Sequence, residues 1–368
     1  MDKKYEMTNE VIEFEGRILH RIRALKDFGN VKKGELGGFI GKEKNLSQVG
    51  YAWAYNNAKI CDDAIVIGNA NIKDNAVVKD RVVIRGNAVI EDDAVIGDSA
   101  VVEDNALVRN NAIVKDEAVI RKNAIVEINA CVCGKANVSD SACIMDSATI
   151  EGNAKIYGDA VIKSNAIVRD YAIVKEDAAI MGSVQIFGNA IIKGNARIYE
   201  NAKVYDNALV DDYTIVRGNA EICGHGQVKQ SALIEGSGKV SQNQLALYGV
   251  TKTDLSKDLA ASIKVQCNLP VINNKVIAYK LVRPDFTSFY DADFKYKVGE
   301  VVEVNDYESS NKSCAAGLHF SNLTYWERVI NGNFICLEAE IDLDDVITVQ
   351  EGKIRCKRAK ILRAFTMS

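Results

Sequence analysis

The sequence has 368 residues, of which 48% are apolar and 26% charged, with a formal net charge of −4. This balance excludes a bulk attraction to nucleic acid or to anionic membranes, and no apolar run is long enough to predict a membrane span. Residues 1–6 lack the apolar segment of a signal peptide, and the nine cysteines are scattered without a Cys-x-x-Cys pair. Both features favour a cytoplasmic location with reduced thiols.

Residues 1–54 are expected to form an N-terminal β cap. Strand-like runs occur at 11–14 and 18–22, and a glycine-rich segment at 34–40 leads into the following repeat. A stacked-coil protein exposes unpaired backbone at its ends, and such ends need covering against aggregation. The sequence therefore predicts that this segment covers the first coil.

Residues 55–240 consist of 31 consecutive six-residue phrases, such as Tyr-Asn-Asn-Ala-Lys-Ile at 55–60. The sixth position is always Ile or Val, and the fourth is Ala with few exceptions, which are Val82, Val184, Thr214, Gly226 and Gly238. Side chains two residues apart on a strand share a face, so both positions point inward. The second and third positions favour Gly, Asp and Asn, which suit tight turns. A parallel β-helix of about ten three-phrase coils with a solid interior is predicted.

Two resemblances accompany the repeat. The Ile/Val-x-x-x-Ala spacing resembles the hexapeptide repeat of left-handed β-helices, which implies left-handed coils. Residues 21–28, 37–40 and 45–48, with the repeats that follow, resemble the YdcK-type hexapeptide-repeat proteins of bacteria and phages. Proteins of this type are often labelled acyltransferases, so the resemblance raises an enzymatic alternative.

The phrases themselves argue against acyl transfer. Hexapeptide acyltransferases usually carry a catalytic His and a loop inserted between coils, whereas these 31 phrases contain no insertion. Their only histidine, His225, occupies a turn position usually held here by Asn or Asp. Because a catalytic base needs a pocket and an orienting partner, we expect His225 to face solvent.

The fifth position of each phrase should point outward, yet it is often apolar. This pattern fits ordinary strand preference, and it fits equally a face that packs against another subunit. The candidate interface residues form three stripes, namely Val77, Val95 and Ile113; Val83, Val101 and Val119; and Val89, Leu107 and Ile125. Four aromatic residues near the end of the repeat either form a partner-binding patch or only stabilise the sheets; they are Phe187, Tyr199, Tyr205 and Tyr213.

The repeat is expected to end at 241–247, followed by a helical cap or linker within 241–268, with the helix at 251–265. Residues 269–368 then predict a small α+β domain, with strands near 276–282, 299–304, 334–341 and 353–362 and a helix near 325–330. Short motifs at 268–271, 278–280, 298–299, 313–320, 345–347 and 353–356 resemble the C-terminal part of the phage rapid-lysis protein rIIB and related phage proteins. That resemblance implies a phage or prophage protein that acts in a bacterial cell, in a family linked to host exclusion and without an established enzymatic activity.

Two features of this domain have chemical interpretations. Cys314 and His319, with Cys356 and also Cys336, could bind zinc or supply a thiol and its base. The spacing equally fits a tight turn at Gly317 and a half-buried strand histidine, so no metal or cofactor is predicted. Lys353, Arg355 and Lys357 should share one strand face. That face could meet phosphate or an acidic partner, or it could protect an edge strand against aggregation.

Three functions follow from these observations. The first is a non-enzymatic binding or scaffold protein, homo-oligomeric and binding a protein partner, for which a host defence factor is a candidate. The second is an enzyme, either an acyltransferase on the repeat or a Cys/His activity in the last domain. The third is a nucleotide or nucleic-acid binder that uses the basic strand, although the strand lacks interleaved aromatic residues for base stacking.

Overall fold

The computed structural model describes residues 3–308, 315–327 and 333–366. It divides into two compact units, Met1–Glu200 and Asn201–Ser368. The protein is mainly β and makes about 12 turns of a parallel β-solenoid, with small C-terminal sheets and few helices. The predicted parallel β-helix is confirmed. The turns outnumber the ten expected because coil strands also form on both sides of the six-residue repeat.

The first unit begins with an antiparallel hairpin of β1 (Tyr5–Phe14) and β2 (Arg17–Ala24). Strand β3 (Leu36–Ile40) pairs antiparallel with β2 on one side and parallel with the first coils on the other. A 3₁₀ helix follows at Glu43–Asn45. The backbone edge that the first coils would expose is therefore occupied by β3 and the hairpin.

Two-residue strands recur every six residues through the rest of the first unit. They are Trp53–Ala54, Lys59–Ile60, Ile65–Val66, Asn71–Ile72, Val77–Val78, Val83–Ile84, Val89–Ile90, Val95–Ile96, Val101–Val102, Leu107–Val108, Ile113–Val114, Val119–Ile120, Ile125–Val126, Cys131–Val132, Asn137–Val138, Cys143–Ile144, Thr149–Ile150, Lys155–Ile156, Val161–Ile162, Ile167–Val168, Ile173–Val174, Ala179–Ile180, Gln185–Ile186, Ile191–Ile192 and Arg197–Ile198.

Within the first unit, coil strands 18 residues apart pair in parallel, so like positions of the phrase stack. Ile162, for example, lies between Ile144 and Ile180 in one column. The fourth and sixth positions of the phrases in this unit are fully buried, including the exceptions Val82 and Val184. Small and branched aliphatic residues therefore fill the interior of the coils, as the pattern predicts.

The corners of the coils are held by polar ladders. Asp at the second position takes the left-handed backbone conformation, with φ of 57° at Asp98. Its carboxylate accepts a hydrogen bond from the backbone N–H of the residue 18 positions later: Asp98 Oδ2 lies 3.1 Å from the nitrogen of Asp116. Third-position asparagines form a second ladder, in which Asn87 Nδ2 donates to Oδ1 of Asn105 at 3.0 Å. Both ladders connect residues 18 positions apart, as the backbone pairing does.

Asp98→Ala is expected to lower the free energy of unfolding by about 1–2 kcal/mol, because Ala loses the ladder bond and tolerates positive φ less well than Asp. Asp98→Asn is the matched control and should change it by less than about 0.5 kcal/mol, since an amide oxygen accepts the same bond. Asn110 already does so for the backbone N–H of Ile128. Chemical denaturation compares the two variants, and equal losses would show that the ladder bond contributes nothing.

The second unit opens with further coil strands, which are Lys203–Val204, Leu209–Val210, Ile215–Val216, Glu221–Ile222, Gln227–Val228, Leu233–Ile234, Lys239–Val240, Leu245–Ala246 and Val250–Thr251. The coils thus pass through 241–247, where the repeat was expected to end. Leu245–Ala246 still pairs with Gln227–Val228. Gln244 is tolerated at the inward position because its side-chain oxygen accepts a hydrogen bond from the backbone N–H of Ser241 at 2.9 Å.

Helix α1 (Leu259–Cys267) follows the last coil and begins later than the predicted residue 251. Asp258 caps it by accepting a hydrogen bond from the backbone N–H of Ala261 at 2.9 Å, and Asn268 ends it in the left-handed conformation. The helix packs against Leu245–Ala246 and against the C-terminal domain. No helix in the described ranges combines the length and apolarity needed to cross a membrane.

The C-terminal domain contains two antiparallel sheets. Their strands are β4 (Val271–Ile272), β5 (Lys275–Val282), β6 (Val301–Glu303), β7 (Leu318–Phe320), β8 (Ile335–Asp342), β9 (Val346–Gln350), β10 (Lys353–Cys356) and β11 (Arg358–Phe365). The larger sheet has the strand order β4-β5-β8-β11-β6, and the smaller has β7-β10-β9. Helix α2 is Leu323–Glu327, and a 3₁₀ helix covers Leu343–Asp345. The predicted helix at 325–330 overlaps α2, although its residues 328–330 lie outside the described residues.

The two sheets share one apolar core. Phe320, Ile354 and Cys356 of the smaller sheet are buried in the same cluster as Ala278 and Ile341 of the larger one. The single strand predicted at 353–362 is in fact two strands, because the chain leaves the smaller sheet after Cys356 and enters the larger one at Arg358.

Candidate ligand-binding site

The candidate residues on the coils differ in exposure and in their contacts. His225 is exposed in its turn, as expected. In the first unit, Phe187 and Tyr199 are half-buried, and the Phe187 ring lies under the Arg169 guanidinium at 4.8 Å. In the second unit, the Tyr205 hydroxyl lies 3.3 Å from a Glu221 carboxylate oxygen. Tyr213 is 72% exposed. It lies before the strand Ile215–Val216, which belongs to a different sheet from Lys203–Val204, the strand before Tyr205. Whether these aromatic residues bind a partner stays a prediction.

The three apolar stripes are real ladders in the first unit. Val95 pairs with Val77 and Ile113, Val101 with Val83 and Val119, and Leu107 with Val89 and Ile125. Most of these side chains are half-buried by their neighbours in the ladder, and Ile113 is the most exposed at 40%. Stacking within one chain thus accounts for much of their burial. Whether a second subunit covers them stays a prediction.

Cys356 and His319, two members of the predicted Cys/His group, lie on opposite faces of the smaller sheet. Residues directly opposite on paired strands share a face, and β7 pairs Leu318 with Cys356 and His319 with Arg355. Cys356 is therefore buried in the apolar core, where burial raises its pKa well above the usual range, while His319 is on the other face. Cys336 belongs to a different cluster, and Cys314 lies outside the described residues. Within the described ranges, no three His, Cys, Asp or Glu side chains gather as metal ligands would.

The basic strand differs from the expected exposed stripe. Lys353 is 8% exposed and Arg355 only 1%. Their strand, β10, lies between β7 and β9 and so is not an edge strand. Lys357 is beyond the end of β10, and its Nζ lies 3.5 Å from a carboxylate oxygen of Asp345. Lys353 and Arg355 are therefore buried in the domain and do not form an exposed stripe.

The face of the smaller sheet that carries His319 and Lys353 lines a cavity of about 480 Å³. This volume is within the usual range for small-molecule sites. Its base includes His319 and Lys353 from the smaller sheet and Lys280 from β5. Its sides include Phe294 and Tyr296 from the segment between β5 and β6, and further aromatic rings come from α2 and the rim, namely Tyr325, Trp326 and Tyr290. We call this the Lys280 cavity.

Lys280 is the most unusual group in the cavity. It follows Val276 and Ala278 on the inward face of β5 and is itself only 5% exposed. Its Nζ donates to the backbone oxygen of His319 at 3.3 Å and lies 5.6 Å from the centre of the Tyr296 ring. Among the described residues it makes no ion pair with a carboxylate. Burial accordingly lowers the pKa of Lys280 to about 8.

His319 and Tyr296 are both neutral at pH 7. Burial, reinforced by the cations of Lys280, Lys353 and Arg355, lowers the pKa of His319 to about 4. Burial also raises the pKa of Tyr296 far above its ordinary value. Each ring can then offer hydrogen bonds without adding charge, and the cationic character of the cavity base comes from the lysines.

Gly317 fixes the edge of the cavity. Its φ is 140°, and a Cβ on this residue would lie 2.8 Å from Cγ of the buried Arg355. We expect Gly317→Ala to lower the free energy of unfolding by about 1–3 kcal/mol and to displace the start of β7. Gly299→Ala is a suitable control, because its added Cβ meets no atom within 4 Å although its φ is also positive. Thermal unfolding of both variants tests whether the contact with Arg355 adds to the backbone strain.

A signal for Lys280 is present in the sequence, although the strand pattern alone did not single it out. Inward positions of β5 alternate along Val276, Ala278, Lys280 and Val282, so one lysine interrupts an apolar face. A charge at an inward position is rare in a core unless it is paired or functional. His319 and Lys353 were candidates, but their proximity to Lys280 depends on the packing of two sheets.

No protein-family model matches this chain, and no curated protein is significantly similar to it.

Proposed function

We propose that this chain is a non-enzymatic binding protein in which a rigid parallel β-helix supports a C-terminal domain that takes up a ligand in the Lys280 cavity. The observation that carries the proposal is the buried ammonium of Lys280, which lines the cavity and makes no ion pair with a carboxylate among the described residues. An unpaired buried charge costs stability. A buried ionisable group that lines a cavity is a candidate for a functional site, and an anion would supply the missing opposite charge.

The geometry of the candidate catalytic residues also favours binding over chemistry. His225 is exposed in a turn, and His319 and Cys356 lie on opposite faces of one sheet. A thiol and its base must lie within hydrogen-bond reach of each other to form a nucleophilic site. The described residues of the cavity, which include amines, aromatic rings and a neutral imidazole, are suited to holding a ligand.

Other parts of the proposal rest on the sequence. A phage origin and a host defence factor as the target come from the resemblance to rIIB-related proteins. Self-association through one of the apolar ladders comes from the apolar fifth positions. The molecular mass of the purified protein in solution tests the proposed self-association. If the ladder that contains Ile113 forms the interface, the Ile113→Asp variant should have a lower mass in solution than the wild type.

The test of the binding proposal is a thermal-unfolding screen of the full chain with nucleotides, sugar phosphates, carboxylic acids and acyl-coenzyme A. We expect at least one anionic compound to raise the melting temperature of the wild type and not that of Lys280→Met. Mass spectrometry of the bound compound should recover it unchanged. A compound that the protein converts to product would instead establish an enzyme, and identical responses of the two proteins would reject the cavity as the site.

A further inference from the structure

We propose that the Lys280 cavity binds a nucleoside phosphate, with the phosphate at the lysines of its base and the nucleobase between its aromatic walls. This inference rests on the proposed binding function and names the ligand class. It is carried by three properties of the cavity, namely the donors at the base, the distribution of charge from base to rim, and the aromatic side walls.

Lys280 offers hydrogen-bond donors at the base of the cavity. A lysine ammonium has three donors and no acceptor, and Lys280 places Nζ near one acceptor, the backbone oxygen of His319. Lys353, 8% exposed, also lines the base, on the same side of β10 as Arg355. Two buried ammonium groups that line one cavity suit an anion with several acceptor oxygens, and a phosphate group has these.

Charge is graded along the depth of the cavity. The two lysines are buried, whereas the acidic lining residues, Asp291 and Asp306, are exposed. Exposed charges are screened by water and salt, and buried charges are screened much less. The inner end therefore favours an anion. The outer end offers carboxylates that can accept hydrogen bonds from hydroxyl groups, as an acidic residue does for ribose in dinucleotide sites.

The side walls fit a planar ring. Phe294 and Tyr296 meet edge to face with ring centres 5.0 Å apart, and Tyr325 and Trp326 do so at 5.2 Å. The indole N–H of Trp326 is already satisfied, since it donates to the backbone oxygen of Tyr279 at 2.7 Å. These rings consequently present mainly apolar and π surface to the cavity. Stacking on such surface suits every nucleobase, whereas a sugar phosphate or inorganic phosphate would leave it unfilled.

The experiment is calorimetric titration of the full chain with the four ribonucleoside monophosphates, with adenosine and with inorganic phosphate. At least one monophosphate should bind, and adenosine and phosphate should each bind about tenfold or more weakly, because each makes only part of the contacts. Lys280→Met should weaken binding of the monophosphate by about 10- to 100-fold, as expected for loss of a charge-assisted hydrogen bond.

Lys275→Met is the matched control. Lys275 lies on the same strand, but its Nζ is in an exposed ion pair with Glu340 at 2.8 Å, so this variant should bind like the wild type. Equal binding by wild type and Lys280→Met would overturn the inference. If no monophosphate binds while another anion of the screen binds through Lys280, the inference fails and the proposed function stands. If no compound depends on Lys280, both fail.

Discussion

Lys280→Met is expected to raise the free energy of unfolding by about 3 kcal/mol at pH 7, although it removes a native hydrogen bond. Burial lowers the pKa of Lys280 from 10.5 to about 8, and each pKa unit corresponds to about 1.4 kcal/mol. Met is similar in length and needs no solvation, so it removes the cost of burying the charge. A variant that is more stable and binds its ligand less well indicates a residue kept for function.

The gain should depend on pH in a defined direction. Below pH 8 both the folded and unfolded chains hold the Lys280 proton, so the wild type bears the full cost of the buried charge. Between pH 8 and 10.5 the folded protein releases that proton and the unfolded chain keeps it, so the cost diminishes as the pH rises. Urea unfolding of wild type and Lys280→Met at about pH 7 and about pH 10 should therefore give a smaller difference at the higher pH. If the difference in the free energy of unfolding between the two proteins is the same at both pH values, the added stability of Lys280→Met comes from packing and not from the buried charge. Lys275→Met, whose amine is exposed, is again the control.

Ile162→Ala is expected to lower the free energy of unfolding by about 3 kcal/mol, because it opens a cavity in a filled column. Ile162 is fully buried between Ile144 and Ile180 of the neighbouring coils. The adjacent coils are held by their own backbone ladders, so the cavity has little room to collapse.

Val161→Ala is the matched control on the same coil strand. Val161 points outward and is half-buried, so its truncation should cost about 1 kcal/mol or less. Denaturant unfolding measures the global effect. Because stacked coils can unfold in parts, hydrogen exchange of the backbone amides near 144–180 should locate the loss in this region. Similar losses for the two variants would mean that the inward column is not the main source of stability.

The coils could be predicted from the sequence because each phrase repeats the same local information. Ala and Ile/Val alternate with turn residues at a fixed period, and this period specifies both the inward face and the pairing 18 residues away. The limits of the coils could not be predicted as well. Gln244 is a polar residue at an inward position, and only the structure shows its side-chain oxygen accepting a hydrogen bond from the backbone N–H of Ser241.

The candidate site was harder to predict because it is formed by distant segments of a small irregular domain. Lys353 and Arg355 were correctly placed on one face of a strand, but the sequence did not show that β10 is central in its sheet. His319 and Cys356 were grouped by residue type, and the strand register separates them. The alternation of β5 marks Lys280 as an inward charge, but the cavity that it lines depends on how the two sheets pack.

The constant pairing distance of 18 residues has a consequence for how the protein is made. In most β proteins, distant segments must find one another, and folding slows as contacts become less local. Here each new coil of the first unit pairs with the coil completed just before it, and β1 and β2 precede these coils in the chain. The nascent chain can therefore fold by templated growth, one coil at a time, and adding more coils lengthens the process without requiring a longer-range search.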